Sequence, residues 1–169
     1  MITCPCLFAA NQYQLPHATL RMLDRDQADA LAQSLVRMDP WLTLGYSRAA
    51  LREYLEREDP GLHRYALEYE ATLAGTLCVR YPWLLGPYVE LLVVLPTSQG
   101  RGLGREVLLW LEQEVLSASK NLWALVSAFN SRARRFYRLC GYVEVVEIPD
   151  LVKEGFNEVL LRKSLDVSP

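Results

Sequence analysis

A chain of 169 residues, 51% of them hydrophobic, can bury a sizeable core and reads as one domain spanning 1–169, with its core at about 18–165. A net charge of −2 argues against duplex nucleic acid as a partner, because neutralising phosphates calls for a basic surplus. No run approaches the ~18 apolar residues of a membrane span, and MITCPCLFAANQYQ lacks the basic start and uninterrupted apolar stretch of an export signal.

A cytoplasmic protein with reduced thiols is therefore expected. Cys4 and Cys6 form CxC, which is not the CxxC of a zinc or redox site. Cys78 and Cys140 lie in apolar patterns and read as small core residues. His17 and His63 have no ligand partner at metal-binding spacing, so no metal is expected.

In chain order, Ala18–Leu23 alternates and reads as a strand. Asp24 or Asp26 can cap the helix carrying Ala28, Leu31, Leu35 and Met38, and DPW at 39–41 stops it. Ser47 can cap a second helix, Arg48–Glu58, before the Asp59-Pro60-Gly61 turn. His63–Glu70 and Thr76–Tyr81 alternate and predict a hairpin with Ala74-Gly75 near its turn, and Pro82 and Gly86-Pro87 break the pattern. Tyr88–Leu95, apolar apart from Glu90, suits a strand buried on both faces. Leu103, Val107, Leu111 and Val115 then recur at steps of four, the stripe of an amphipathic helix.

Leu122–Ala128 reads as another strand. Asn130 and Ser131 can cap a helix over Arg132–Cys140, and Gly141 stands where a helix-ending glycine belongs. Tyr142–Ile148 and Asn157–Arg162 read as strands around a loop at Asp150–Gly155. The order β α α β β β α β α β β makes an α/β fold (α+β, with a mixed sheet).

Between the central strand and its helix lies LPTSQGRGLGRE. A strand entering a helix through glycines is an anion-binding device. The first helical N–H groups lack internal partners, the helix dipole is positive there, and glycine lets phosphate approach the backbone. The phosphate loop GxxxxGK[ST] is absent. The dinucleotide fingerprint fails because Arg105 stands where its third glycine belongs.

LPTSQGRGLG resembles motif A of the GNAT superfamily of N-acetyltransferases, [QR]xxGx[GA], with Gln99, Gly102 and Gly104 in its places. NSRARRFYRLCGYVEV resembles motif B through Asn130, Ala133, Phe136, Tyr137, Gly141 and Tyr142. The two motifs in series, each in its expected local structure, form a specific signal, and the strand order resembles the family fold from about Ala18 to Leu165. The resemblance implies the GNAT acyl-CoA N-acyltransferase fold and acetyl-CoA as co-substrate. It implies pyrophosphate contacts from Gln99, Gly100, Arg101, Gly102, Leu103, Gly104 and Arg105. It implies pantetheine contacts along Leu92, Val93 and Val94 and from Asn130, Ala133 and Phe136, with Tyr137 at the sulfur. Arg101 and Arg105 fit a solvated helix start as well as a phosphate contact. Arg132, Arg134 and Arg135 read as a wet helix face.

Two residues then carry roles in catalysis. Tyr137 is expected to donate to the departing thiolate. Glu90, a carboxylate in an apolar strand, is either the general base that receives the amine's proton or a charge near the strand's start, in water or paired with an arginine. The activity implied is acetyl transfer to a primary amine by direct attack. A non-catalytic acyl-CoA sensor of the same fold is the alternative. The acceptor is expected to be a small amine or a peptide N-terminus, bound by segments 38–46, 81–87 and 150–157. The first segment is weakly similar to that of bacterial enzymes related to protein N-terminal acetyltransferases. Trp41, Trp83 and Tyr46 serve there as core or rim aromatics, or as pocket walls. A homodimer is expected from the family's habit.

Overall fold

The computed structural model describes residues 7–165, so Cys4 and Cys6 lie outside the described residues. In chain order the elements are β1 (Gln12–Gln14), β2 (Thr19–Met22), α1 (Arg25–Leu35), α2 (Trp41–Leu44), α3 (Arg48–Glu56), β3 (Leu62–Tyr69), β4 (Thr72–Trp83), β5 (Gly86–Val94), α4 (Leu103–Val115), β6 (Asn121–Ser127), α5 (Ser131–Leu139), β7 (Val143–Lys153) and β8 (Phe156–Ser164). This is a mixed α/β fold. The predicted order holds, with two additions, β1 and the short α2. The chain divides into two compact units. One holds the described residues up to Met22, Pro60–Leu122 and those from Ser164, and the other holds Leu23–Asp59 and Trp123–Lys163.

In the first unit, β1-β2-β3-β4-β5 pair antiparallel in that order. The helix α4 packs on β5. Its predicted stripe is the buried one: Leu103, Val107, Leu111 and Val115 are all essentially inaccessible. Each such side chain contributes about 1.5–3 kcal/mol on burial.

The strand β1 escaped the sequence reading because three residues are too short for a period. Aromatic packing holds it instead. The Tyr13 ring lies 4.7 Å from Trp110 and 5.7 Å from Tyr65, and Phe8 lies 4.8 Å from His63. Glu114 accepts from the Phe8 N–H at 3.1 Å and the Tyr13 hydroxyl at 3.3 Å.

Both hairpins of this unit correct the sequence reading. The β3–β4 turn is Glu70-Ala71, with φ of 49° and 59°, and Ala74-Gly75 lies inside β4. The β4–β5 turn is Leu84-Leu85, with φ of 29° and 59°. Turns with two left-handed residues normally use Asn or Gly, so neither hairpin carried its usual sequence mark. Pro82 does not end β4. It sits where the β4–β5 register is already irregular, between Arg80 and Trp83, a place that needs no ladder donor.

In the second unit the strand order is β6-β8-β7, with β7 and β8 antiparallel. Asp24 and Gln27 form a reciprocal capping box at the start of α1, and Ser47 caps α3 through the Ala50 N–H. The two helices pack together on Leu31, Leu35, Leu51 and Leu55, and Arg48 bridges to Asp29 at 2.7 Å. The expected loop at Asp150–Gly155 is mostly strand. Asp150 has a φ of 54° inside β7, and the turn is Glu154-Gly155. Cys78 is buried, whereas Cys140 is partly exposed rather than a core residue.

Gly75 has a packing role within β4. A Cβ built there would collide with the Val93 carbonyl oxygen of β5. Gly75→Ala should therefore force the strands apart and lower stability by about 2–3 kcal/mol. Urea unfolding checks this, with a lowered midpoint expected and an unchanged one counting against it.

Candidate functional site

The site begins with the alternation of β5. Val89, Leu91 and Val93 are buried, while Tyr88, Glu90, Leu92 and Val94 are only partly covered. The strand is thus buried on one face rather than on both, and its second face keeps an accessible apolar edge at Leu92 and Val94.

Beyond β5 the chain makes a 3-10 turn at Pro96–Ser98. Gln99 braces that turn. Its side-chain amide donates to the Val94 carbonyl at 2.8 Å, and its own N–H reaches the Pro96 carbonyl at 3.4 Å. Gly100 and Gly102 follow with φ of 76° and 78°. A Cβ built on either glycine meets no atom within 4 Å, so the outer side of the loop is open. Gly102 is the N-cap of α4, and no side chain caps that helix. Glu106 N–H returns to the Gly102 carbonyl at 3.1 Å, so the N–H groups of Leu103, Gly104 and Arg105 precede the first internal helical bond. This is the geometry of an anion cradle.

The charges near the loop have separate duties. The Arg101 guanidinium lies over the Tyr69 ring, 5.4 Å from its centre, and Arg105 is exposed. Glu106 faces away to His17, accepting from its backbone N–H at 2.8 Å and lying 3.0 Å from Nδ1. Glu90 forms an ion pair with Arg80 on β4, both side chains being mostly covered. The arginine pairing considered for Glu90 is thus present, and it gives the carboxylate a counter-ion.

In the second unit, Asn130 accepts from the Ala133 N–H at 3.1 Å and donates its own N–H to the Ser127 carbonyl at 2.8 Å. It is the N-cap of α5. Tyr137 is 6% exposed, and its ring meets Phe136 at 5.3 Å and Tyr142 at 5.1 Å. Gly141, at φ 90°, ends the helix as expected. Arg134 is more than a wet helix charge. It forks onto both Glu144 oxygens at 2.9 Å and donates to the Ala128 carbonyl at 3.0 Å. Those hydrogen bonds hold the Glu144 carboxyl below the usual carboxylate range. Arg132 and Arg135 are exposed.

Two of the three expected acceptor segments meet in this unit. Lys153 donates to the Thr43 carbonyl at 3.2 Å, joining 150–157 to 38–46. Tyr46 is exposed on that surface at 38%. The third segment lies in the first unit, where Trp83 stacks at 4.7 Å on Tyr88.

The sequence reading missed one residue here. Glu158 of β8 is 4% exposed, and the Ser127 hydroxyl donates to its Oε1 at 2.8 Å. Burial pushes its carboxyl above the usual range, and the Ser127 hydrogen bond offsets that only in part. The folded value then lies above the unfolded one, so ionising Glu158 costs stability as pH rises through its titration. The Tyr46 phenol is pushed up by burial and then by the charge of Glu158. Glu158 is the second residue of the predicted strand Asn157–Arg162, and the pairing of β8 with β6 brings it beside Ser127.

Among the described residues no group of three or more His, Cys, Asp or Glu could hold a metal ion, and no helix is long and apolar enough to cross a membrane.

A family model described as "Acetyltransferase (GNAT) family" matches residues 26–142. Solved structures agree in fold. RimL, the ribosomal L7/L12 α-N-protein acetyltransferase, superposes with a TM-score of 0.74 at 14% identity over 91% of this chain and 94% of its own. An acetyltransferase from Thermus thermophilus gives 0.70 at 20% identity over 90% of this chain and 100% of its own. A Bacillus anthracis str. Ames protein assigned as a streptothricin acetyltransferase, in complex with acetyl coenzyme A, gives 0.56 at 15% identity over 64% of this chain and 65% of its own.

Proposed function

The chain belongs to the GNAT acetyltransferase family, and from that premise we propose that it is an N-acetyltransferase moving the acetyl group of acetyl-CoA to a primary amine by direct attack. The observation that carries this reading is the open glycine loop. Two left-handed glycines with empty space outside them lead into a helix that no side chain caps. Such a cradle suits the pyrophosphate of a coenzyme A thioester.

When bound, acetyl-CoA supplies a thioester carbon that an unprotonated amine can attack. In this reading the backbone from Gly100 to Arg105 holds the pyrophosphate, with Gln99 fixing the shape of the turn. Leu92, Val93 and Val94 line the pantetheine, as do Asn130, Ala133 and Phe136. Glu90 receives the amine's proton, directly or through a water, with Arg80 as its counter-ion. Tyr137 donates to the departing sulfur. With reference values near ~10 for a phenol and ~8.5 for a thiol, full transfer is uphill by roughly 2 kcal/mol. Tyr137 therefore serves mainly as a hydrogen-bond donor. The acceptor is a small amine or a peptide N-terminus. The likeness to RimL supports the second option at the level of fold alone.

A thermal-shift titration with acetyl-CoA, CoA, ATP and NAD tests the cofactor. A ligand that binds only the folded chain raises Tm, and acetyl-CoA and CoA alone are expected to do so. Absence of any shift with both would remove the enzyme assignment.

Tyr137→Phe should lower kcat by about 10- to 1000-fold and leave acetyl-CoA affinity nearly unchanged. Steady-state kinetics with a reactive amine measure both, and full turnover would refute the donor role.

Glu90→Gln should lower kcat by about 10- to 100-fold in steady-state assays. If turnover is unchanged, the proton goes elsewhere. Binding of acetyl-CoA without turnover on a broad amine panel would favour the acyl-CoA sensor.

A further inference from the structure

The Arg101 side chain is held in place without being neutralised. Its guanidinium lies over the Tyr69 ring, 5.4 Å from the centre, and among the described residues it makes no hydrogen bond or ion pair. A ring under the guanidinium restricts a side chain that would otherwise sample many rotamers, and it spends none of the N–H donors. The acids around the loop are engaged elsewhere. Glu106, in the first turn of α4, accepts from the His17 backbone at 2.8 Å and lies 3.0 Å from its Nδ1, and Glu68 pairs with Arg21 at 3.4 Å.

The position of the ring is built by the hairpin that carries it. Tyr69 ends β3, the turn after it is left-handed at Glu70 and Ala71, and the Thr72 hydroxyl donates to the Tyr69 carbonyl at 2.8 Å. Further along β4, Gly75 pairs with Val94, and the Ala74 carbonyl accepts from the Leu95 N–H at 2.7 Å. Those bonds tie the turn end of the β3–β4 hairpin to the exit of β5, where the glycine loop begins. Tyr69 and Arg101 meet across that junction.

We propose that Tyr69 is a positioning residue, which holds the Arg101 guanidinium ready to bind a phosphate of the coenzyme. The helix start supplies roughly half a positive charge, against the ~2 negative charges of a pyrophosphate diester, so the backbone cradle alone leaves most of the ligand's charge unmatched. A planar guanidinium matches phosphate oxygens two at a time. Arg105 stands on the same helix start, but it is exposed and no ring holds it among the described residues. Arg101 is therefore the pre-organised cation of the loop, and the ring that organises it lies outside the glycine motif. The assignment rests on the acetyltransferase reading only for the statement that the phosphate belongs to coenzyme A.

Titration calorimetry of the full chain with CoA, 3′-dephospho-CoA and inorganic pyrophosphate, at constant ionic strength, tests the pair without any need for turnover. Arg101→Ala should weaken CoA binding by about 10- to 100-fold, the value of charge-assisted hydrogen bonds. Tyr69→Leu should weaken it by about 2- to 5-fold, the value of an exposed cation–π contact, and Tyr69→Phe, which keeps a ring, should restore the wild-type Kd. In the Arg101→Ala background Tyr69→Leu should change nothing further, because its effect passes through Arg101. A merely structural tyrosine would lower affinity equally in both backgrounds. Tyr69→Thr, which suits a strand end, takes the place of Tyr69→Leu if that variant does not fold. Equal losses on CoA and dephospho-CoA assign Arg101 to the pyrophosphate, and a loss confined to CoA assigns it to the ribose phosphate. Wild-type affinity in Arg101→Ala, or a Tyr69→Leu loss that persists in the double variant, would overturn the assignment and leave the acetyltransferase reading in place. Pyrophosphate binding weakened in Arg101→Ala and Tyr69→Leu, with no CoA binding in any protein, would leave the clamp standing and remove that reading.

Discussion

Every helix begins with backbone N–H groups that have no partner within it, and among the four longer helices, α1, α3, α4 and α5, the chain treats one start differently. Asp24 caps α1, Ser47 caps α3 and Asn130 caps α5, each by accepting a backbone N–H through its side chain. Each such cap is worth about 1 kcal/mol. At α4 the N-cap is Gly102, which has no side chain to offer. The longest of these helices therefore forgoes the stabilisation that its shorter neighbours take. It compensates by burial, with Leu103, Val107, Leu108, Leu111 and Val115 all covered. Several kilocalories of apolar burial outweigh one missing cap, so the N–H groups can remain available for a ligand anion.

The carboxylates show a similar division. Glu90 and Glu144 each have an arginine partner, and Glu144 is correspondingly easier to ionise. Glu158 has a hydroxyl and burial, and burial wins. In a folded chain a charge is normally neutralised from within when an arginine or lysine can reach it. Lys153 is near this surface yet is spent on a backbone carbonyl. Glu158 is thus the one of these three carboxyls that burial, rather than an arginine, governs.

Most of the fold was legible because it rests on local rules. The four-residue spacing from Leu103 to Val115 marked α4, and Asp24, Ser47 and Asn130 marked the helix starts that they cap. Gln99, Gly102 and Tyr137 were legible because their neighbours in sequence define their motifs. What was hidden depends on contacts distant in the chain. Tyr13 is held by Trp110 and Glu114, about a hundred residues away. Glu90 looked solitary because its partner Arg80 lies across a hairpin whose turn carried no glycine. Glu158 drew no reading because its partner Ser127 is 31 residues before it.

The hidden turns also sharpen the case for the glycine loop. Left-handed backbone costs an ordinary residue about 1–2 kcal/mol, and the chain accepts that cost at Glu70, Ala71, Leu84, Leu85 and Asp150. Positive φ alone therefore does not require glycine in this protein. At Gly100 and Gly102 a side chain would also meet no protein atom, so internal packing does not require glycine there either. Gly75 is the contrast, since the Val93 carbonyl excludes any Cβ from its side. With packing set aside and the φ cost shown to be tolerable elsewhere, the remaining physical reason for glycine lies outside the chain. In the proposed function that reason is the pyrophosphate, which would approach the backbone at 100 and 102 more closely than a methyl group permits and meet the uncapped N–H groups that follow.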